Sequence, residues 1–492
     1  MLYKKLVKSK KACKMGIFLR EHISAKLTIT TDVDIFEKEK STHILHLVEE
    51  KLEITPRKFK SELGRSYHCF SCSISEKELT LTSDYFVGVD WLTEDRFIYV
   101  EPKLNFAVLQ SFENVSFKSE DEISDEEIEK FDKEVEESEE AIKEVNVIAM
   151  LMKIMSHSEV AKETDKLLLI DWEAPEIEIE QKQDLLTPFL VVKFLKLLQG
   201  IARKGLKKSY YKVQENLRNR VKGKILVGQQ IKKNVFKNRL TNTVCEYQVF
   251  GEDSIENRFL KKVFLFCTQY VENNTHYFKD KNNISWMVNY IRPAFEQVSS
   301  EVDIQEIKHL KYNPFFKEYK EAIKIGQQIL KIFSYNITKT TTAEKISTPP
   351  FWIDMPKMFE LYVYAKLLED NPTLNHKNLN YQFSTHGNSL DFLICTKDEK
   401  IVVDTKYKLK YNYGQIHEDI RQVAGYARLN RVRKEVGFEK SNEEIPCLII
   451  YPKPIEKNEE EKVLELDKFL LNENRINAYH QVYKLGIPLP IL

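Results

Sequence analysis

Apolar and polar positions change rhythm several times along this chain. Leu79 to Val89 and Arg96 to Val100 alternate, or run apolar with β-branched and aromatic residues, between polar turns. That pattern predicts strands and makes residues 1–115 β-rich. Val147 to Met155, Leu185 to Leu198 and Arg258 to Tyr270 carry apolar residues at helical spacing. Residues 146–336 therefore read as mainly helical, with a short strand pair over Gly223 to Asn234. Ile337 to Pro350 is Thr-rich and ends in Pro-Pro, which marks a linker over 337–350. The last unit, 351–492, opens with Asp354, placed to cap a helix with Pro356 in its first turn. That helix runs through Phe359, Glu360, Leu361, Val363 and Leu367. Leu390, Phe392 and Ile394 then alternate with Asp391, Leu393 and Cys395 as a strand, Lys397 to Lys400 turns, and Ile401 to Leu409 forms a second strand. A helix over Ile416 to Asn430 and an apolar strand over Ile445 to Tyr451 complete the order helix, strand, strand, helix, strand. The expected class is mixed α+β over several domains, with no internal repeat at a period of roughly 20–50 residues.

Composition bounds this picture. The chain has 492 residues, 42% apolar and 30% charged, which is ordinary globular composition and excludes wholesale disorder. A prior of roughly 150 residues per domain suggests about three domains. No apolar run approaches the roughly 18 residues of a membrane span; Lys193 and Lys196 interrupt Leu185 to Leu198. The bases Lys4, Lys5, Lys8, Lys10, Lys11, Lys14 and Arg20 read as a solvated arm. Gly16 to Leu19 is too short for a signal-peptide core. Seven cysteines make no disulfide framework, so a reducing cytoplasm is expected.

The net charge of zero conceals a split. Ser119 to Glu144 carries 14 acids against 3 bases, so the rest of the chain stands at +11. This acidic stretch marks an insert or linker over 116–145. Arg203 to Arg239 is the opposite block, with 13 Lys and Arg and a single acid, Glu215. Tyr210, Tyr211 and Phe236 are interleaved with these bases. The combination favours contact with a polyanion over a merely solvated face.

The chemistry concentrates in the last unit. A strand period of two puts Asp404 and Lys406 on one face with Val402, and Val403, Thr405 and Tyr407 on the other. If the two strands pair as a hairpin, Asp391 approaches Asp404. Two carboxylates beside one lysine make a coherent phosphodiesterase site, because hard Mg²⁺ takes oxygen ligands and keeps waters. Lys406 is then placed to orient water or stabilise charge on the phosphorane. Gln422 and Tyr426, four apart, share a helix face, and Asp419 lies three before Gln422 on nearly the same side.

Asp391, then Asp404-Thr405-Lys406 on a second strand, then Gln422-x-x-x-Tyr426 on a helix resembles the PD-(D/E)XK nuclease core of the RecB-like branch. Ile353-Asp354-Met355 with Met358-Phe359-Glu360-Leu361-Tyr362-Val363 further resembles the "DMxxLFExYV" helix of the McrC family, the nuclease subunit of McrBC-type, modification-dependent restriction systems. Val87-Gly88-Val89 with Tyr99-Val100-Glu101-Pro102-Lys103-Leu104, Gly205 to Tyr211, Leu217 to Lys224, Cys245-Glu246-Tyr247 and Asn257-Arg258 resemble other parts of that family. The likeness spans about residues 80–452. Leu390, not Pro, precedes the first motif acid, which leaves the acid itself in place.

The resemblance implies a C-terminal core of α-β-β-β/α-β type, a mixed sheet flanked by helices. It makes Asp391 and Asp404 the Mg²⁺ ligands, helped by the Thr405 carbonyl, with Mn²⁺ able to substitute. Lys406 becomes the catalytic lysine. Glu360 completes the metal shell or orients a ligand, unless it is a solvent-facing helix residue. Gln422 and Tyr426 support the site or touch the DNA backbone, unless they are a hydrogen-bonded core pair. The implied function is hydrolysis of double-stranded DNA, in the cytoplasm of a prokaryote, with a McrB-like AAA+ GTPase hexamer whose hydrolysis this chain stimulates. The 1–115 unit and the middle region would dock that partner, the basic block 203–239 serving either docking or DNA tracking, and complexes could dimerise to cleave. The chain has no G-x-x-x-x-G-K-[ST], so it is expected to bind no nucleotide itself. A non-catalytic activator of an AAA+ NTPase and a stand-alone RecB-like nuclease are the alternatives.

Other signals are weaker. Cys69-x-x-Cys72 beside His68 lacks a second cysteine pair at ribbon spacing. His43 and His46 are three apart and would share a face of a helix. His417-Glu418 lacks a second histidine at zincin spacing, and no G-x-S-x-G elbow occurs.

Overall fold

The computed structural model describes residues 6–9, 12–21, 23–30, 44–46, 54–60, 66–75, 78–93, 96–105, 142–180, 183–275, 277–278, 281–302, 317–337, 345–385, 388–407, 413–453, 464–476 and 479–492. Most of the acidic stretch 119–144, His43 and the side chain of His417 lie outside these residues. The fold is mixed, with several sheets and helices. The chain divides into two compact units, 1–185 with 344–492, and 186–343. Among the described residues no helix is long and apolar enough to cross a membrane.

The first unit is built on two sheets in its N-terminal part. A six-stranded sheet has the order Leu6–Ser9, Ala12–Arg20, Arg96–Glu101, Phe86–Thr93, Phe351–Asp354, Leu168–Ile170. Phe351–Asp354 thus enters the sheet from far along the chain, antiparallel to Phe86–Thr93. Its residues are almost wholly buried, and Trp352 donates its indole N–H to Asp90 Oδ2 at 3.0 Å. Asp90 also takes an ion pair from Arg57 at 2.8 Å, so a buried charge is paired where it must be. Gly88 permits the crossing: at φ +152° a Cβ would stand 2.1 Å from the Phe351 carbonyl oxygen. The second sheet runs Ile44–His46, Ser24–Thr30, Glu78–Ser83, Phe70–Ile74. Glu78–Ser83 alternates half-buried and buried residues, as the apolar period of two requires. The predicted run Leu79 to Val89 is therefore two strands, broken at Asp84 and Tyr85. His46 lies on the strand Ile44–His46, not on a helix, and His43 lies outside the described residues.

The same unit holds the C-terminal sheet. Helix α1 (Met355–Asp370) is capped by Asp354, whose Oδ1 accepts from the Lys357 amide at 3.0 Å. It is buried nearly all round and packs against the helix Val147–Ser156. Then follow β1 (Leu379–Thr385), β2 (Asn388–Cys395), β3 (Lys400–Thr405), helix α2 (Tyr413–Ala427), β4 (Cys447–Lys453) and β5 (Val482–Pro488). The five strands lie in that order, antiparallel from β1 to β3 and parallel from β3 to β5. Ile420, Val423 and Tyr426 of α2 pack with Leu393, Val402 and Ile449 of the sheet. On the other side of β2, the Phe392 ring lies against Tyr364 and Tyr381. Both faces of β2 are thus covered, which removes the polar half of the alternation. The predicted strand Ile401 to Leu409 stops at Thr405, although the Lys406 amide still donates to Ile450 O at 2.8 Å. Of the predicted linker, Lys345–Thr348 is a strand, paired antiparallel with Ile177–Glu180.

The second unit contains the helices Leu186–Lys204, Ile255–Asn273, Lys281–Ala294 and Lys317–Ile337. Between the first two, Ser209–Arg218 and Asn242–Gly251 form a long antiparallel pair, which the helical reading of this region missed. Gly223 to Asn234 is not a strand pair: only Lys224–Ile225 is extended, and Val227–Lys233 is a helix. Gly223, at φ +71°, faces the Glu246 carbonyl oxygen too closely for any Cβ. Asn257 anchors the base of the pair, donating to Lys207 O and Glu252 O and accepting from Tyr319 Oη.

A candidate two-carboxylate site

Strands β2 and β3 pair with Phe392 opposite Val403, which carries Asp391 to the end of β3 where Asp404, Thr405 and Lys406 lie. Asp391 Oδ2 accepts from the Thr405 amide at 2.7 Å and from the Thr405 hydroxyl at 2.6 Å. Thr405 therefore acts through its N–H and Oγ1, holding the first acid. Asp404 is buried, and its Oδ2 lies 2.6 Å from Lys406 Nζ. The same ammonium donates to Gln422 Oε1 at 2.9 Å, and Gln422 Nε2 reaches Tyr426 Oη at 2.7 Å. Asp391, Asp404, Thr405, Lys406, Gln422 and Tyr426 are thus one connected set. Gln422 is exposed and Tyr426 buried, so the pair runs from surface to core beside the lysine.

Glu360 belongs to a neighbouring cluster. It is buried on α1, not solvent-facing. Its Oε1 accepts from Gln382 Nε2 and lies 3.4 Å from Lys357 Nζ. Lys357 in turn donates to Tyr381 Oη at 2.6 Å, and Ser389 Oγ donates to Gln382 Oε1 at 2.7 Å. The link from Glu360 to Asp391 is electrostatic: its charge is one of the influences that raise the Asp391 pKa.

Burial pushes Asp391 up to about 7, with the Glu360 charge adding to it and the Thr405 hydrogen bonds and Lys406 opposing. Burial also pushes Asp404 to about 7, helped by the Asp391 charge and opposed by Lys406. Burial would lower Lys406, but Asp404, Asp419 and Asp391 outweigh it and hold the ammonium charged.

These residues fit a divalent cation. Asp391 and Asp404 converge beside Lys406 and offer the carboxylate oxygens that a hard cation takes. The partner of the buried Asp404 Oδ2 among the described residues is the Lys406 ammonium. Among the described residues no three His, Cys, Asp or Glu side chains already stand at metal-ligand spacing. A cation held by Asp391 and Asp404 would therefore draw its remaining oxygens from water, backbone and substrate, as Mg²⁺ commonly does. Cys69 is buried, and Cys72 is half-buried on Phe70–Ile74.

Several further residues stand at the site. Asp419 Oδ1 lies 3.8 Å from Lys406 Nζ, and Asp419 is buried. Helical spacing from Gln422 places it on that side, whereas Glu21 and Tyr85 have no local signal. Tyr407, next to the lysine, donates to Glu21 Oε1 at 3.3 Å. Burial pushes the Tyr85 hydroxyl up to about 12; Asp84, Asp419 and Glu21 add to the rise and Lys406 opposes it. Glu21 and Tyr85 come from the turns after Ala12–Arg20 and before Phe86–Thr93, so the N-terminal part supplies one wall.

A family model described as McrBC 5-methylcytosine restriction system component matches residues 147–452. Among solved structures, the chain is similar to a refined half-complex from a tetradecameric assembly of Thermococcus gammatolerans McrB AAA+ hexamers with bound McrC. The identity is 14%, over 96% of this chain and 94% of that one, with a TM-score of 0.32. It is also similar to a chain of the cryo-EM structure of the Thermococcus gammatolerans McrBC complex, at 14% identity over 72% and 88%, with a TM-score of 0.26. Comparison with curated proteins returns no match.

Proposed function

Because this chain belongs to the family of McrBC 5-methylcytosine restriction system components, we propose that it is the Mg²⁺-dependent DNA endonuclease subunit of such a system. Its C-terminal sheet with α1 and α2 would be a PD-(D/E)XK core. The observation that carries the reading is the convergence of Asp391 and Asp404 beside Lys406, the two acids tied through Thr405 and the lysine braced by Gln422. A scaffold has no physical need to bury acids at such cost.

Asp391 and Asp404 would hold Mg²⁺. Bound there, the ion supplies Lewis acidity at the scissile phosphate and lowers the pKa of a coordinated water. The chain's own residues do the rest. Thr405 fixes the Oδ2 of Asp391 so that the carboxylate does not rotate away. Lys406, held charged by its acids, donates toward phosphate oxygens as negative charge grows on them. Gln422 limits where that ammonium can go, and Tyr426 limits Gln422. Glu360 adds negative charge near Asp391 and is held by Gln382, Lys357 and Tyr381.

The partner would be an AAA+ GTPase hexamer of the McrB kind, in a prokaryotic cytoplasm, with double-stranded modified DNA as substrate. The basic hairpin of the second unit suits docking. Its Tyr210, Phe250, Phe236 and Leu240 are 58–79% exposed, and apolar exposure on that scale fits a protein partner better than phosphate alone.

The test is cleavage of methylated and unmethylated plasmid by the chain with its GTPase partner, Mg²⁺ and GTP. Wild type should cut, while Asp404→Ala and Lys406→Ala should not, with circular dichroism unchanged. If both variants cut as wild type does, the nuclease reading falls. If none cuts methylated DNA but the chain still accelerates GTP hydrolysis, the chain is an activator without a working site.

A further inference from the structure

Lys406 is bound to the acid that a cation would need. Its Nζ lies 2.6 Å from Asp404 Oδ2, whereas Asp419 Oδ1 lies 3.8 Å from the same nitrogen. The two acids come from different elements, Asp404 from β3 and Asp419 from α2. Gln422, three residues after Asp419, offers Oε1 at 2.9 Å to the same ammonium. Positions 419, 422 and 426 form one stripe along the helix, so α2 presents a second seat for the lysine. A cation on Asp404 repels the ammonium and competes for the same oxygen, so the lysine must either leave or block entry.

We propose that Asp419 is a positioning residue that takes the Lys406 ammonium from Asp404 as a divalent cation enters, and so clears the metal site while keeping the lysine beside it. The proposal rests on the reading that Asp391 and Asp404 hold the metal. The carboxylate of Asp419 serves because it is buried and on a separate element, with its Oδ1 already 3.8 Å from the ammonium. Gln422 alone would offer a neutral acceptor, a weaker counterweight to Asp404.

The experiment measures Mn²⁺ binding to the whole chain without DNA, by loss of the free-ion electron paramagnetic resonance signal. Asp419→Asn should weaken binding roughly tenfold, because Lys406 then stays on Asp404. In a Lys406→Met background the competitor is gone, and Asp419→Asn should change binding by no more than about twofold. Equal losses in both backgrounds would make Asp419 a mere distant charge and overturn the proposal, as would no loss in either. Asp419→Glu should restore binding and cleavage, and Asp419→Asn should lower kcat with little change in the DNA concentration for half-saturation. Asp404→Ala is the control on the underlying reading. Wild-type affinity in that variant would remove the metal site itself, whereas its loss with Asp419→Asn silent would remove only the hand-over.

Discussion

The Tyr407 hydroxyl donates to Glu21 Oε1 at 3.3 Å, joining the residue after the site lysine to a carboxyl 386 positions earlier. Glu21 is buried, and its second oxygen has no hydrogen-bond partner among the described residues. Burial pushes its pKa well above the ordinary value of 4.5, with the Tyr407 hydrogen bond opposing.

That shift has a definite sign. The folded chain holds a proton on Glu21 that the unfolded chain releases near pH 4.5. The stabilisation is complete below that pH and is lost as pH rises toward the folded pKa. Glu21→Gln keeps an acceptor for Tyr407 and removes the titration. It should flatten the decline and raise the unfolding temperature at pH 8 relative to wild type, measured by calorimetry at pH 5 and 8. A parallel decline in both proteins would contradict the burial of this carboxyl.

Asp354 gives a narrower window. Burial raises it from 3.8 to about 6, against the Lys357 amide hydrogen bond and the Lys357 charge. Stability should therefore fall between about pH 4 and pH 6 and level off above. Asp354→Asn preserves the cap and should abolish that fall, whereas Asp354→Ala should cost about 1 kcal/mol at pH 7 from loss of the cap. Urea titrations across this range separate the two effects.

The two site acids predict how metal dependence varies with pH. Both lie at about 7 without metal, from burial first and then neighbouring negative charge. Mg²⁺ must displace their protons, so the Mg²⁺ concentration for half-maximal cleavage should rise as pH falls from 8 to 6. The rise should approach roughly tenfold per pH unit for each proton released below pH 7. A half-saturating concentration independent of pH would mean that these carboxyls are not the ligands.

Gly88 should tolerate no side chain. A Cβ there meets the Phe351 carbonyl oxygen at 2.1 Å, and backbone cannot swing aside as a flexible side chain can. Gly88→Ala should destabilise the first unit by about 3 kcal/mol, read as a lower urea midpoint. Gly228→Ala, in the helix Val227–Lys233 with nothing within 4 Å of the added Cβ, is the contrasting case and should be neutral or stabilising by up to about 1 kcal/mol.

What could be read ahead of the structure followed from local periodicity. Asp391, Asp404 and Lys406 were legible because a strand's period of two, with one turn between strands, brings those positions together. Gln422 and Tyr426 were legible from a helix's period. Glu21 and Tyr85 were not, since their contacts with the site depend on how separate elements pack, and no local pattern encodes that. The strand Ser209–Arg218 gives no such signal, since most of its residues are exposed or half-buried and no apolar face repeats. Phe351–Asp354 gives no strand signal, because four residues with three apolar side chains in a row carry no period.

That short strand also sets an order of events during synthesis. Phe86–Thr93 leaves the ribosome early, while Phe351–Asp354, its neighbour in the sheet, is made only after the entire second unit. At about 5–20 residues per second, the interval is roughly tens of seconds. Through that time one edge of Phe86–Thr93 lacks its final neighbour, so the nascent chain carries an open strand edge until its last third emerges.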